Sequence, residues 1–195
     1  MSAKIFISCG QATSEEIKVA ADLKAWLISE RFNPYVAIKT QSLQDVNSEI
    51  IGNLKLSDYY IFIDFRRDKI SKFKFCHPEY RGSLFTHQEL AIAYLLEFQH
   101  VICVRESGVR LEGVGQYLLS NALIFKKKND VVPIIQKEIY NRNWEISYSK
   151  NLVVSGPIDA GQWSFCDHTG HSCRHIWHIS VDNRRADSAA FNTVV

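Results

Sequence analysis

The segment Arg81–Phe98, RGSLFTHQELAIAYLLEF, contains the residue of this chain that is best placed for chemistry. Its pattern predicts a helix from about Ser83, with Glu89 about two turns inside it. The residues at helical spacing from Glu89 are mostly apolar, namely Phe85, Thr86, Ile92 and Ala93. A carboxylate placed among apolar groups is a candidate catalytic group. The structural alternative is a glutamate on the solvent face of an amphipathic helix.

Two other groups of reactive side chains are weaker candidates. Ser8, Cys9 and His87 do not form a credible nucleophilic triad, and His87 is expected to be exposed on its helix. A cluster near the end of the chain could bind zinc in principle, since it contains Cys166, His168, His171, Cys173, His175 and His178. It lacks a Cys-x-x-Cys pair, and HIWHIS is typical of a strand whose two histidines lie on opposite faces. We therefore expect no metal site.

The elements that must position Glu89 alternate along the first part of the chain. Short apolar runs predict strands at Lys4–Ser8, Tyr35–Ile38, Tyr59–Phe65, Val101–Val104 and Ala122–Phe125. Amphipathic stretches predict helices over about 14–30, 44–56, 83–98, 111–119 and 130–140. Because parallel neighbours need crossover helices, residues 1–143 are predicted to form a doubly wound α/β domain with a five-stranded parallel sheet of the flavodoxin-like kind. The loops after Ser8, Ile38, Asp64 and Val104 would then meet at the ligand-binding edge.

Residues 144–195 have a different pattern. Apolar runs at Asn151–Val154, Trp163–Phe165 and His175–Val181 are separated by turns, which predicts a β-rich region outside the parallel sheet. About 50 residues are too few to bury a two-layer sandwich alone. The region therefore either packs on the first domain or belongs to a longer β domain. The apolar ending AAFNTVV favours truncation or a missing partner strand.

The composition indicates a globular protein and excludes several classes. Of 195 residues, 46% are hydrophobic and 23% are charged, so the chain is neither disordered nor a long coiled coil. The net charge of +2 gives no field that selects nucleic acid or an anionic membrane as a partner. No apolar run is long enough to cross a membrane, and no signal peptide is visible. Five cysteines in a chain without an export signal indicate the reducing cytoplasm.

Two stretches resemble the bacterial Toll/interleukin-1 receptor (TIR) domains that degrade NAD+. They are the opening KIFISCG with the acidic helix start after it, and the run SLFTHQEL. The most specific piece is Ser-x-aromatic-x-x-x-Glu-Leu, with Ser83, Phe85 and Glu89 at its defining positions. The resemblance covers about 1–140 and implies a TIR-like NAD+ glycohydrolase or cyclase. It also implies a role in anti-phage defence, with activity switched on by self-association into a homo-oligomer.

The same resemblance assigns roles to individual residues. It implies that Glu89 is the catalytic carboxylate, that Ser83 and Phe85 shape its pocket, and that Ser8, Cys9 and Gly10 line the dinucleotide site. NAD+ would be the substrate, and no separate cofactor is implied. The loop Lys39–Leu43 would govern assembly and access. The sequence departs from the family pattern in its uncharged first loop, in the acidic end of the third strand, and in the long loop that follows that strand.

A second family has a similar motif. The spacing Thr86-x-x-Glu89-x-x-x-Ala93 is similar to that of nucleoside 2-deoxyribosyltransferases, which share this sheet topology and also use a glutamate. Both families cut an N-glycosidic bond. Nicotinamide leaves NAD+ neutral, so one carboxylate can suffice, whereas a nucleobase leaves well only when protonated. Asp64 could be the second acid, although a strand-end residue that caps a loop is the structural alternative.

Two further interpretations stay open. The loop Arg66–Arg81 carries six basic residues against two acidic ones, with aromatic residues between them. It could reach a pyrophosphate or a nucleic acid strand, but a solvated loop held by its aromatic side chains is the preferred interpretation. Lys126–Lys128 are expected to lie in a solvated turn. A non-catalytic TIR-like interaction module is the third hypothesis for the whole chain.

Overall fold

The computed structural model describes residues 2–37, 46–70, 79–113, 115–118, 121–150, 153–154, 158–167, 170–178 and 181–182. The predicted loop Lys39–Leu43 and the predicted strand end at Ile38 lie outside these residues. The chain divides into two compact units, Met1–Ser147 and Tyr148–Val195. The change of sequence pattern predicts a boundary at 143/144, four residues earlier. No helix among the described residues is long and apolar enough to cross a membrane.

The first unit contains strands and helices in alternation. The strands are β1 Lys4–Cys9, β2 Asn33–Val36, β3 Tyr59–Asp64, β4 Val101–Glu106 and β5 Leu123–Phe125. The helices are α1 Ser14–Ser29, α2 Gly52–Lys55, α3 Leu84–Leu95, α4 Gly115–Leu118 and α5 Val131–Asn141. A π-helical segment, Val46–Ile51, leads into α2, and a 3-10 turn, Lys128–Asp130, leads into α5.

All five strands form one parallel sheet in the order β2-β1-β3-β4-β5. The predicted five-stranded parallel α/β fold is therefore confirmed. The central strand β3, YYIFID, is buried at every position, as a strand covered by helices on both faces must be. Chain order reverses between β1 and β3, and this is the place where ligands bind in open sheets of this kind.

The start of β2 differs from the predicted one because the strand lies at the edge of the sheet. The sequence predicts that Asn33-Pro34 ends the preceding helix and that the second strand begins at Tyr35. In the structure Asn33 and Pro34 already pair with Lys4 and Ile5 of β1. Proline lacks an N–H group, but an edge strand has one side free of partners, so the proline is tolerated there.

Helix α3 packs its buried face on the sheet, and that face carries Glu89. The buried residues of α3 are Thr86, Glu89, Leu90 and Ala93. Leu90 and Ala93 join a core cluster with Phe6, Ala37, Leu54, Tyr60 and Phe62. Glu89 therefore lies on the inner side of its helix, and the alternative of a glutamate on a solvent-facing surface is wrong.

The second unit consists of antiparallel pairs in its described residues. β7, Ile158–Asp167, pairs with β8, Gly170–His178, and β6, Val153–Val154, pairs with β9, Val181–Asp182. None of these described strands joins the parallel sheet. An antiparallel pair needs only a short turn, which agrees with a sequence that has turn residues and no crossover helix at this point.

Candidate active site

A cavity of about 850 Å³ opens at the carboxyl edge of the sheet, beside the ends of β1 and β3. The loop between β1 and α1 contributes Cys9–Thr13, and α1 contributes Glu16. The segment after β3 contributes Arg66–Asp68, and α3 contributes Phe85, Thr86 and Glu89. This volume is in the range of sites for small organic ligands. The fold thus brings Glu89 to the edge where the sequence predicted a ligand site.

The carboxylate of Glu89 is held at the floor of this cavity. Glu89 is 8% exposed, and its Oε2 accepts a hydrogen bond of 2.5 Å from the hydroxyl of Ser8. Ser8 itself is fully buried near the end of β1. The cavity wall near Glu89 is formed by Phe85 and Thr86, which lie one turn earlier on α3, and by Ile50. At this place the cavity therefore presents the carboxylate of Glu89, fixed by one hydroxyl donor, beside a largely apolar part of its wall.

Burial changes the acidity of Glu89. It raises the pKa of this carboxyl from its ordinary value of 4.5 to about 7, while the hydrogen bond from Ser8 acts in the opposite direction. A carboxylate that titrates near neutral pH can be ionised for electrostatic or nucleophilic work yet is destabilised by its surroundings. A cationic group placed beside it would remove part of that destabilisation.

Besides Glu89 and Ser8, a third oxygen-bearing side chain, Tyr60, lies near the cavity floor on the sheet face of Ser8. Tyr60 of β3 pairs with Phe6 of β1, and Ser8 follows Phe6 by two residues, so the side chains of Tyr60 and Ser8 leave the same sheet face. The hydroxyl of Tyr60 is buried and has no hydrogen-bond partner of good geometry among the residues that the structure describes. Burial and the charge of Glu89 raise the pKa of Tyr60 well above its usual value, so this phenol is neutral.

Asp64, the candidate second acid, anchors the start of α3. It is fully buried, its Oδ1 accepts a hydrogen bond of 3.0 Å from the backbone N–H of Ser83, and its Oδ2 lies 2.7 Å from Nε2 of His87. A Cβ added at Gly82 would overlap this carboxylate, which explains the glycine. Asp64 is not among the described residues that line the cavity. This is the loop-capping role that the sequence analysis named as the alternative.

The other predicted site residues occupy different places around the cavity. Cys9, Gly10, Ser83 and Phe85 line it, and Phe85 is 69% exposed at its rim. Ser8 lies behind Glu89 and reaches the cavity through that side chain. Burial raises the pKa of the Cys9 thiol to about 12, so this cysteine is a packing residue at neutral pH and not a nucleophile.

The sequence analysis missed an ion pair between two residues that line the cavity. Glu16 of α1 is 1% exposed and binds the guanidinium of Arg67, with Nη1–Oε1 at 2.6 Å and Nη2–Oε2 at 2.7 Å. The sequence places Glu16 in the acidic start of the first helix and Arg67 in the loop that is expected to be solvated. The sequence contained a signal for this pair. Arg67 follows β3 closely, Glu16 follows β1, and the ends of these two strands were expected to meet at one edge of the sheet.

The remaining predictions about reactive groups have mixed outcomes. No group of three or more His, Cys, Asp or Glu residues in the described part of the chain could hold a metal ion. His168 of the cysteine and histidine cluster, and the side chains of its other members, lie outside the description. His87 is half-buried against Asp64, so its predicted exposure is wrong. Lys128 lies at the cavity, where its Nζ is 2.9 Å from Glu15.

Comparisons with known proteins give weak likenesses. No protein-family model matches the chain, and no curated protein matches it. A 2-deoxyribosyltransferase of Bacillus psychrosaccharolyticus is 17% identical, over 67% of this chain and 90% of that one, with a TM-score of 0.41. The CMP N-glycosidase BcmB of Clostridium botulinum is 17% identical, over 69% and 98%, with a TM-score of 0.45.

The descriptions of the two similar structures name nucleoside- or nucleotide-processing enzymes. One is described as a 2-deoxyribosyltransferase, the family whose threonine–glutamate–alanine spacing the sequence shares. Neither is described as a TIR domain or as an NAD+-degrading enzyme, so the TIR resemblance has no support from these structures. Likenesses of this size do not establish a family, and function has to be inferred from the geometry of the site.

Proposed function

We propose that this protein is an enzyme that cleaves the N-glycosidic bond of a nucleoside or nucleotide, with Glu89 as the catalytic carboxylate. The observation that carries the proposal is the position of Glu89. Its carboxylate is 8% exposed, held by Ser8, and located at the β1/β3 edge beside a cavity of about 850 Å³. A buried carboxylate at this position supports the proposal, because such a reaction needs a nucleophile or a negative charge beside the anomeric carbon.

The electrostatics of Glu89 suit the transition state of glycosidic cleavage. The anomeric carbon becomes positively charged as the base departs. A carboxylate whose charge is destabilised by burial gains more from that developing cation than a solvated one does, so its effect is larger in the transition state than in the ground state. Glu89 either attacks the anomeric carbon or stabilises it for attack by water or by another acceptor.

The charges of the cavity support a substrate without a diphosphate. Its described charged residues are Arg66, Arg67 and Lys128 on the basic side, and Glu16, Asp68, Glu89 and Glu106 on the acidic side. Each of the three cations already contacts a carboxylate: Arg66 contacts Glu106, Arg67 contacts Glu16, and Lys128 contacts Glu15. A pyrophosphate would compete with these pairs, whereas a nucleoside would not.

Cleavage of NAD+ is the second candidate, and one observation favours it. Asp64 is bound to Ser83 and His87 and does not line the described cavity, so it is not placed to protonate a departing base. Nicotinamide leaves without a proton. The TIR-like assignment, a role in defence and activation by self-association belong to this candidate and are proposed only with it.

The experiment is a substrate panel with the purified full chain. Uridine, cytidine, inosine, adenosine, their 2′-deoxy forms, their 5′-monophosphates and NAD+ are incubated separately, and the released base or nicotinamide is measured by liquid chromatography. The panel is repeated at several protein concentrations and with free bases as acceptors. Release of a base that is lost in Glu89→Gln supports the proposal. If no compound is cleaved even by concentrated protein, the non-catalytic interaction module becomes the better interpretation.

A further inference from the structure

The guanidinium of Arg67 is held in a fixed orientation at the cavity wall. The backbone of its loop is fixed by Arg67 N–H, which donates to Arg81 O at 2.8 Å, and by Arg81 N–H, which donates to Asp68 O at 2.8 Å. The side chain then meets Glu16 end-on, through Nη1 and Nη2. Two anchors, one on the backbone and one on the guanidinium, leave this long side chain little freedom.

Glu16 is itself locked in place. Its Oε2 also accepts a hydrogen bond of 2.8 Å from the backbone N–H of Ala12. Burial acts to raise the pKa of Glu16, but the hydrogen bonds from Arg67 and Ala12 outweigh it and hold the pKa below its usual value. Glu16 is therefore ionised at neutral pH and forms the ion pair with Arg67.

Gly10 provides the space for this arrangement. A Cβ added at Gly10 would overlap Nη2 of Arg67, so the guanidinium lies against the backbone just after β1. Cys9, the neighbour of Gly10, lies within electrostatic range of both Arg67 and Glu89. The guanidinium and the catalytic carboxylate thus lie around the same strand end, on different walls of one cavity.

One edge of the Arg67 guanidinium has no acceptor within the described part of the chain. Nη1 donates to Glu16 and to the carbonyl of Arg66, so both of its hydrogens are used. Nη2 uses one hydrogen on Glu16. Nε has no acceptor among the residues that the structure describes, and the second hydrogen of Nη2 has none either. Nε–H and Nη2–H together form the side edge of the guanidinium, which can donate two parallel hydrogen bonds.

We propose that this side edge of Arg67 binds the leaving base, and that it selects bases that present two adjacent acceptors, such as a ring carbonyl beside a ring nitrogen. The inference rests on the proposed function. The cavity lining carries four carboxylates against three cations, so a neutral acceptor edge is favoured there over a phosphate dianion. A pyridinium ring has no ring acceptor and carries a positive charge, which the guanidinium repels.

This contact would also assist the reaction. When the bond between the anomeric carbon and the base nitrogen breaks, its electron pair stays on the base and spreads onto the ring acceptors. Hydrogen bonds from Arg67 to those acceptors then strengthen, because their charge has increased. Water finally supplies a hydroxyl to the anomeric carbon and a proton to the base. A guanidinium could thus stabilise the departing base although Asp64 is not placed to protonate it.

The kinetic test compares Arg67→Lys with Arg81→Lys on the panel of nucleosides. Lysine keeps a positive charge opposite Glu16 but cannot donate two parallel hydrogen bonds, and Arg81 is a matched control on the same loop that does not line the described cavity. We expect Arg67→Lys to lower kcat/KM at least about tenfold for cytidine and inosine, with the larger loss for the poorer leaving base. The loss should be equal for a nucleoside and its 5′-monophosphate.

Two kinetic results would overturn the proposal. One is an unchanged kcat/KM for both nucleosides in Arg67→Lys. The other is a loss confined to the 5′-monophosphates, which would make Arg67 a phosphate ligand. Thermal unfolding of both variants shows whether each still folds and, for Arg67→Lys, whether the ion pair with Glu16 still supports the fold. Gly10→Ala is a further variant that displaces the Arg67 guanidinium without removing it, because the added Cβ overlaps Nη2.

A binding measurement separates this proposal from the proposed function. Cytosine and hypoxanthine are titrated calorimetrically into Glu89→Gln, into Arg67→Lys and into the unchanged protein. One outcome is that the unchanged protein cleaves no nucleoside and still binds these bases, with the binding lost in Arg67→Lys. In that case the base site is supported and the proposed reaction is refuted. If neither base binds the unchanged protein, or if both bind Arg67→Lys with unchanged affinity, the base site is refuted whatever the activity.

Discussion

The hydroxyl of Ser8 donates a hydrogen bond of 2.5 Å to Oε2 of Glu89, and the two residues are 81 positions apart in the chain. Ser8 lies on a central strand and Glu89 on the helix that packs over it. A rigid strand therefore orients the carboxylate, and a single buried donor opposes the effect of burial on its acidity. This relationship gives the site its most direct tests.

Replacing Glu89 by glutamine should abolish base release while leaving the fold intact. Glutamine preserves the volume and can still accept a hydrogen bond from Ser8, but it carries no charge and is not a nucleophile. The loss should be at least about a hundredfold, on the order of 3 kcal/mol of barrier. Glu97→Gln, an exposed site just after the same helix, is the control. Wild-type turnover by Glu89→Gln at high protein concentration would refute the assignment.

The same substitution should change how stability depends on pH. Between pH 4.5 and about 7 the folded protein keeps a proton on Glu89 that the unfolded chain releases, so stability falls as the pH rises through this window. Glu89→Gln removes this loss, which is on the order of 3 kcal/mol over the whole window. Urea unfolding of both proteins at pH 5 and pH 8 measures the difference. A constant difference between the two pH values would contradict the raised pKa.

Removing the hydroxyl of Ser8 should shift the activity profile. In Ser8→Ala the pKa of Glu89 rises further, because the donor that favours its ionised form is gone. If cleavage needs the ionised carboxylate, the acid limb of kcat/KM moves to higher pH by about one unit. Ser57→Ala is a matched control, since Ser57 is also fully buried but bonds to Asn53. A drop in rate with an unmoved limb would assign Ser8 a merely structural role.

Replacing Asp64 by asparagine should affect stability more than selectivity. Asparagine has one acceptor oxygen where Asp64 serves both Ser83 N–H and His87, so unfolding should require about 1–3 kcal/mol less. The ratio of rates for a good and a poor leaving base should not change, because Asp64 does not line the described cavity. Asp22→Asn, exposed on α1, is the control. A selective loss with the poorer leaving base would restore Asp64 as a general acid.

Local patterns in the sequence determined the fold class and the place of Glu89. Strands such as YYIFID are apolar at nearly every position, and helices occur between them, so a parallel sheet with crossover helices was the consistent solution. The helical spacing around Glu89 showed which neighbours it would have. These properties depend on residues close in the chain, where periodicity and propensity act directly.

Contacts between distant residues could not be obtained in that way. The bond from Ser8 to Glu89 and the pair of Glu16 with Arg67 join residues 81 and 51 positions apart. Asp64 had two interpretations at the sequence level, and only the position of Ser83 and His87 decided between them. Hydrogen bonds depend on tenths of an ångström and on donor angles, which are set when strands and helices pack. The sequence by itself determined which elements form and at which edge they meet; tertiary packing decided which side chains touch there, and therefore which of them can take part in the chemistry.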